Sequence, residues 1–377
     1  MRAGIQRVRL GDVCEMSMGQ APDSSSYNED KEGLPFYQGN ADFGKVFPAP
    51  RVWCSNPTKV AEPGDLLISV RAPIGALNFA NEKCCIGRGL AGIRALHDVE
   101  IGYLFYALKS KVQSLNKLGT GSTFKAINKN ALIGIDISLP PLAEQKRIAV
   151  KLDLLCEIIS KREEQLVKLK QLAKSRFVEM FGDAIWPKTT IGELSEFLTS
   201  GSRGWAKYYS DEGELFITIK NVKNTRISFD DVQHIVPPQG AEADRTRVRE
   251  GDLLISITAD LGRTGVVTDE IASRGAYINQ HLTRISLKRN VVDPLYAAFY
   301  IESPGGKEQI ERHNQSAVKA GLNFESIRSI QLPLPPIGKQ RQFSAFIEQL
   351  DKSEFAIRKS LEAYRKLYRQ QVQEVFG

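Results

Sequence analysis

Residues 139–148 read LPPLAEQKRI, and residues 334–343 read LPPIGKQRQF. Two adjacent prolines cannot sit inside a helix, because proline lacks the amide hydrogen and its ring clashes with the carbonyl four residues back. Each mark therefore holds the chain extended up to a helix start. From Ala143 to about Phe181 there is neither glycine nor proline, and the same is true from Lys339 to Phe376. The spacing predicts one uninterrupted helix after each mark, roughly 55 to 60 Å long at 1.5 Å per residue. The second mark places Gly338 and Lys339 where the first has Ala143 and Glu144, which is expected to weaken the second helix start.

The two marks belong to a repeat that runs through the chain. LGDVCEMSMGQ from Leu10 is echoed by IGELSEFLTSG from Ile191, GLPFYQGN from Gly33 by GELFITIKN from Gly213, and PGDLLISVRAPIG from Pro63 by EGDLLISITADLG from Glu250. Residues 139–182 and 334–377 align at a constant offset (334 − 139 = 195) without a gap, each ending in Phe-Gly. The earlier echoes drift through offsets of 181 (191 − 10) and 187 (250 − 63). Insertions thus fall in the first part of each repeat, while the second part keeps a fixed length. The two parts do different jobs.

The apolar spacing states what the helices pack against. Ile148, Leu152, Leu155, Ile159, Leu166 and Leu169 form a stripe interrupted at Arg162; Phe343, Ile347, Leu350, Ile357, Leu361, Tyr364 and Tyr368 form another interrupted at Glu354. Steps alternating four and three are a heptad seam. Packing of each helix onto its own globule is one reading. The narrow stripe on a charge-rich helix favours the other, in which the two helices pair. The repeat then makes them antiparallel, with the globules at opposite ends of a rod and a pseudo-twofold axis within one chain.

The variable parts read as β-rich. PFYQG, DLLISVRA, LFITIKNV, DLLISITA and HLTRISLK are short runs bounded by Gly, Pro, Asn and Asp. A helical stretch follows in each, GYLFYALKSKVQSLNKL or PLYAAFYIESPGGKEQIERH. The expected architecture is α+β: globules at 1–142 and 183–337, with long helices at 143–182 and 338–377 forming an antiparallel coiled coil.

At 377 residues, 42% hydrophobic and 25% charged, the chain has the composition of a folded multidomain protein. A formal charge of +7 favours a polyanionic partner. The five cysteines, Cys14, Cys54, Cys84, Cys85 and Cys156, show no CxxC pair and no histidine at metal spacing, so they read as reduced thiols, the Cys84-Cys85 pair as strand packing. The start MRAGIQRVRLGDV lacks a signal-peptide core, and no run approaches the ~20 apolar residues of a membrane span. A cytoplasmic protein is expected.

Related but non-identical globules at a fixed separation suit a ligand that repeats along a line, and duplex DNA is such a ligand. A protein partner with twofold symmetry would satisfy the same geometry. Unit by unit, the chain resembles the DNA sequence specificity subunit of type I restriction-modification enzymes. LPPLAEQKRI and LPPIGKQRQF with their helices, the paired GDLLIS segments and INQHLTRISL (278–287) carry the resemblance, which covers essentially the whole length.

That family implies two target recognition domains, each reading one half of a split, asymmetric double-stranded DNA site. It also implies helices that space the domains and dock two DNA adenine methyltransferase subunits, joined by translocating restriction subunits. S-adenosylmethionine, ATP and Mg are implied for the partners, and no cofactor for this chain. The altered second mark would then loosen one docking site.

Catalytic signatures are missing from the sequence. LPPL and LPPI have leucine where the adenine-binding motif of a methyltransferase needs Asn or Asp before Pro-Pro, and no GxxxxGK[ST] phosphate loop occurs; SPGGKEQ (303–309) lacks its first glycine and its hydroxyl. His97, His234, His281 and His313 are scattered, and Asp65 and Asp252 read as turn residues before strands. A non-catalytic recognition subunit is the leading reading. A dyadic adaptor that reads no DNA, or a self-contained methyltransferase or nuclease, are the alternatives.

Base edges are read by Arg, Lys, Asn, Gln, Ser and Thr, and phosphates are held by the basic ones, so loop residues are the candidates. In the first globule these are Gln20, Tyr27, Gln38, Asn40, Arg71, Arg88, Ser122 and Lys125. In the second they are Arg203, Lys207, Lys220, Asn221, Lys223, Arg263, Arg274, Gln280, His281 and Lys319.

Overall fold

The computed structural model describes residues 6–120, 125–182, 185–314 and 321–377. Ser122 and Lys319 lie outside these ranges. The chain divides into two compact units, Met1–Gln165 with Ile357–Gly377, and Leu166–Ala356.

In the first unit the LLIS of the GDLLIS segment forms the strand Leu66–Ser69, every residue of it buried. Its alternation explains the unbroken apolar run: Leu66 and Ile68 face one core with the helix Ile101–Ser110, while Leu67 faces a second core with Tyr37, Cys84 and Leu90. The strand sits inside a four-stranded antiparallel sheet, in the order Cys14–Met18, Leu90–Ala95, Leu66–Ser69, Leu77–Phe79. A five-stranded sheet covers the second core. In it Leu34–Tyr37 and Cys84–Ile86 run parallel, with Tyr37 opposite Ile86. Cys84 and Cys85 point to opposite faces of that strand, into different clusters, as strand packing predicts.

The second unit repeats the plan. Ser195–Ser200, Leu282–Leu287, Leu253–Ser256 and Thr264–Val266 form its antiparallel sheet, and Glu214–Ile217 runs parallel to Ala276–Ile278 in the other. Register explains part of the drifting offset. Cys14 pairs with Ala95 and Ser195 with Leu287, but an irregularity between Ser195 and Phe197 adds a residue, so that Met18 corresponds to Ser200. The predicted helical stretches each break in two, at Ile101–Ser110 and Val112–Leu118, and at Pro294–Glu302 and Pro304–His313, where Pro304 forces the restart.

The long helices run Leu142–Phe181 and Ile337–Phe376. The second start is not lost to Gly338: the helix begins one residue earlier, and the Lys339 ammonium lies 5.1 Å from the Trp186 ring centroid. The glutamine of each mark explains the shared punctuation. Gln145 is buried; its amide donates to Pro140 O at 2.8 Å and Asp98 O at 3.2 Å and accepts from Glu100 N at 2.9 Å. Gln340 makes the same set, to Pro335 O (2.7 Å), to Val291 O (3.3 Å) and from Asp293 N (2.9 Å). Each clip ties a helix start to its own globule.

The choice between packing on the globule and pairing with the other helix is resolved as both. In the first unit Ile148, Leu152 and Leu155 share one core with the far end of the second helix, Tyr364, Tyr368, Val372, Val375 and Phe376. Lys151 bonds Gln371 at 2.6 Å and Arg365 bonds Glu163 at 2.6 Å, so the two segments run antiparallel. In the second unit Phe343, Ile347 and Leu350 share a core with Ala173, Phe177, Met180 and Phe181. Ile159, Leu166, Leu169 and Ile357 are half-buried and Leu361 is buried. Each globule also grips its own helix by a salt bridge, Lys45 to Glu164 at 3.8 Å and Arg226 to Asp351 at 2.8 Å.

Candidate nucleic-acid interface

Both globules build one loop edge from the same backbone bonds. In the first, Gly19 N donates to Leu90 O, Gln20 N to Ile86 O, Gly87 N to Tyr37 O and Val70 N to Gly89 O, all at 2.8–2.9 Å. In the second, Gly201 N donates to Leu282 O, Ser202 N to Ile278 O, Asn279 N to Ile217 O and Ile257 N to His281 O, at 2.9–3.1 Å. The chains approach too closely for a side chain: a Cβ on Gly19 would lie 2.2 Å from Gly87 O, and one on Gly201 2.1 Å from Asn279 O. Glycine is required at both.

The frame gathers the loop that follows each LLIS strand. Ser69 Oγ donates to Pro73 O at 2.7 Å, Ser256 Oγ caps its loop at Asp260 O in the same way, and Arg71 and Thr258 bridge to Ala126 and Gly321 respectively. Five positions therefore correspond: Gln20 with Ser202, Gln38 with Thr218, Arg71 with Thr258, Arg88 with Gln280, and Gly89 with His281.

On the first edge Gln20, Gln38, Arg71, Arg88 and Lys125 stand together and exposed, Lys125 beside Arg71 through its carbonyl bond from Ala72 N at 3.1 Å. Asn40 follows at the start of the short turn Asn40–Asp42, half-buried. Tyr27 belongs to the packing beneath: its ring lies 4.8 Å from that of Phe36 and its hydroxyl donates to Pro22 O at 3.0 Å. Burial pushes that phenol above its ordinary range.

On the second edge Arg203, Gln280 and His281 are joined. Arg203 Nε bonds Gln280 Oε1 at 2.9 Å, Gln280 Nε2 meets His281 Nε2 at 3.3 Å, and His281 Nδ1 meets Thr258 Oγ1 at 2.8 Å. Arg203 and Lys207 also flank a cleft of about 400 Å³ with Trp205, Tyr208 and Pro238. Lys220 and Lys223 are exposed on the segment after Thr218, and Arg263 closes the 256–263 loop by pairing with Asp260.

Besides Tyr27, two candidates are placed differently from expectation. Asn221 is only 1% exposed. Its amide accepts from Thr218 N and Oγ1 at 2.9 Å and donates to Asp230 O at 3.1 Å, so it shapes the loop from inside. Arg274 precedes the strand Ala276–Ile278 and stands at the end away from Gln280, its guanidinium 4.8 Å from the Phe229 ring centroid.

Thr258 was missed because a short hydroxyl side chain carries little sequence signal; Ser202, at the position of Gln20, is buried and donates to Thr246 Oγ1 at 3.1 Å. The 187-residue offset from Arg71 would have found Thr258. Asp65 and Asp252 do hold turns, accepting from Glu62 N and Arg249 N at 2.8 and 2.7 Å, and they pair with Arg94 and Arg284. Among the described residues no group of three His, Cys, Asp or Glu could hold a metal ion, and no helix is long and apolar enough to cross a membrane.

A second surface lies in the first unit, where the starting turns of the first long helix meet the last turns of the second. Glu144, Arg147, Lys151, Gln371 and Glu374 line a groove of about 380 Å³ there. Val150 and Leu154, one turn apart, are exposed nearby.

A family model described as a type I restriction modification DNA specificity domain matches residues 3–171 and again 186–363. The chain is 49% identical over 158 residues to a putative type I restriction enzyme specificity subunit, MjaX, of Methanocaldococcus jannaschii, covering 41% of this chain and 37% of the relative. That match thus spans little more than a third of the relative. Identity to the EcoBI specificity subunit of Escherichia coli is 22% over 381 residues, 91% of this chain and 78% of the relative. The solved S subunit of a type I restriction-modification system from M. genitalium superimposes with a TM-score of 0.65 at 14% identity, covering 100% of this chain and 97% of that one. The fold is shared.

Proposed function

The chain belongs to the type I restriction modification DNA specificity family, and we propose that it is the specificity subunit of such an enzyme, reading a split and asymmetric DNA site with one globule per half. The observation that carries this reading is the pair of loop edges: one backbone frame, held by the same hydrogen bonds, displays Gln20, Gln38, Arg71 and Arg88 in one unit, and in the other places half-buried Thr218, Thr258 and Gln280 and buried Ser202 at the corresponding positions, with exposed Arg203 beside them. Equal frames with unequal polar side chains suit two related readers of different base sequences. The +7 charge adds the sequence-independent attraction to phosphate.

The long helices, of fixed length in both repeats, set the gap between half-sites in this reading. The groove at Glu144, Arg147 and Gln371, with Val150 and Leu154 beside it, suits docking of one of two DNA adenine methyltransferase subunits. Restriction subunits join the same cytoplasmic complex. The chain itself does no chemistry; S-adenosylmethionine, ATP and Mg serve its partners. Methylated adenines mapped across the host genome with this gene intact and deleted test the proposal. Loss of one motif, two short half-sites around a fixed gap, is expected. An unchanged methylation map, with the methyltransferase active, would refute it. The adaptor alternative predicts no salt-sensitive duplex binding by the complex.

A further inference from the structure

The four side chains joined on the second edge have only one consistent hydrogen-bond assignment. An arginine Nε–H can only donate, so the atom of Gln280 facing Arg203 at 2.9 Å is the oxygen. The Gln280 NH₂ group is thereby turned to His281, whose Nε2 at 3.3 Å must accept. A neutral imidazole that accepts through Nε2 carries its proton on Nδ1, which donates to Thr258 Oγ1 at 2.8 Å. The chain of constraint runs from the half-buried Thr258 on the loop frame outward and ends on the exposed guanidinium of Arg203. Backbone bonds fix both ends of it: Gln280 N donates to Ser202 O at 3.0 Å, and Ile257 N to His281 O at 3.0 Å.

Only Nε of Arg203 is used by this relay. The two terminal nitrogens of an exposed guanidinium, held in a fixed plane, match the O6 and N7 acceptors of guanine in the major groove. Gln280 is half-buried and spends one bond from each end of its amide inside the relay, which leaves Arg203 as the exposed member of the set. On the first edge the relay positions are filled by Arg71, Arg88 and Gly89, so guanidinium groups come from different loops and no equivalent relay can form.

We propose that Arg203 is the base-reading side chain of the second globule, specific for a guanine, and that Gln280, backed by His281 and Thr258, is its positioning residue. The proposal rests on the reading of the chain as a DNA specificity subunit and adds the residue and the base.

The test is selection of bound duplexes from a random library by the full chain in complex with its methyltransferase, for the wild type and three variants. Arg203→Ala should erase one guanine preference, by about 5- to 100-fold, in one half-site and leave the other half-site as an internal control. Gln280→Leu should relax the same position. Gln280→Glu should keep it, because a carboxylate still accepts from Arg203 Nε while His281 reverses its tautomer to donate through Nε2. Three results overturn the proposal: weaker binding by Arg203→Ala that is uniform across sequences, the mark of a phosphate contact; an intact guanine preference in that variant; or an unaltered preference in Gln280→Leu. Absence of any two-part motif for the wild type would remove the underlying reading and the proposal with it, and is told apart by that wild-type control.

Discussion

The ring of Phe376, in the last turn of the second long helix, lies 5.3 Å from the ring of Tyr103 in the core of the first unit. Its repeat counterpart Phe181, in the last turn of the first helix, lies 4.8 Å from Tyr296 in the core of the second. Both tyrosines also anchor their globules through their hydroxyls, Tyr103 to Ser138 O at 2.5 Å and Tyr296 to Pro333 O at 2.8 Å. Each unit is thus closed by the tail of a helix that starts in the other.

Phe376→Ala should therefore act as a core truncation although it lies one residue from the chain's last. Phe376 is 7% exposed, and deletion of a buried phenyl ring costs about 3–5 kcal/mol. Denaturant unfolding should show a lowered midpoint. A change below about 1 kcal/mol would mean the helix end does not complete that core.

The glutamine clips give a second stability prediction. Gln145→Leu strands Glu100 N, Pro140 O and Asp98 O, and Gln340→Leu strands the equivalent atoms at Asp293, Pro335 and Val291. Unsatisfied buried groups cost about 1–3 kcal/mol each when no water reaches them. Both variants should unfold at lower temperature than wild type, by similar amounts because the geometry repeats. Leucine is the informative replacement, since it preserves side-chain volume and removes only the polar contacts.

How far these features were legible in the sequence depended on their periodicity. The Pro-Pro marks, the glycine-free runs after them and the doubled GDLLIS segments were readable because helix and strand patterns are local and occur twice. The heptad stripe exposed Ile148, Leu152, Phe343 and Ile347, but not that they enter the globular cores together with Phe181 and Phe376, because a stripe does not say which surface it meets. At the loop edges Arg71, Arg88, Arg203 and Gln280 stood out by residue type. Asn221 did too, and is buried, because a side chain that caps a turn and one that faces solvent have the same letter. The relay through Thr258 was hidden because its members lie in different loops, brought together only by the backbone bonds of the frame.

Thiol reactivity provides a check on the cores with a defined sign. Burial pushes Cys84 up to about 12 and Cys14 up to about 11, and it also raises Cys85. A raised value lowers the thiolate fraction at any pH below it, so these thiols should stay unreactive at about pH 8. Of the five free cysteines only Cys156 is not fully buried. A disulfide reagent should label that one rapidly, and the rest only as the protein unfolds. Fast labelling of Cys84 would contradict its placement.

The brace between Arg226 and Asp351 should matter more for recognition than for stability. Its two bonds are 3.0 and 2.8 Å, but the side chains are 33% and 45% exposed, so solvent screening limits the stabilisation to below about 1 kcal/mol. Arg226 also bonds Thr225 Oγ1 at 2.7 Å, on a tight turn where Asn224 and Thr225 both have positive φ, at 53° and 62°. That turn follows the Thr218–Asn221 segment of the second edge. Asp351→Asn should leave the melting temperature nearly unchanged while weakening one half-site in duplex binding; equal effects on both half-sites would exclude a role in placing that edge.

Arg71 supplies the test of whether the two edges read independently. It is exposed beside Lys125 and occupies the position that Thr258 fills in the other unit, where the side chain is committed to His281. The backbone at Arg71 is fixed by the bridge to Ala126 and by the Ser69 bond that closes the same loop, so removing the guanidinium leaves the frame in place. Arg71→Ala should lower affinity for duplexes carrying the first half-site by about 5- to 100-fold. Competition between duplexes altered in either half should show the preference at the second half unchanged. If the variant loses discrimination at both halves equally, Arg71 acts through general charge or through folding, and separate reading by the two globules is excluded for this residue.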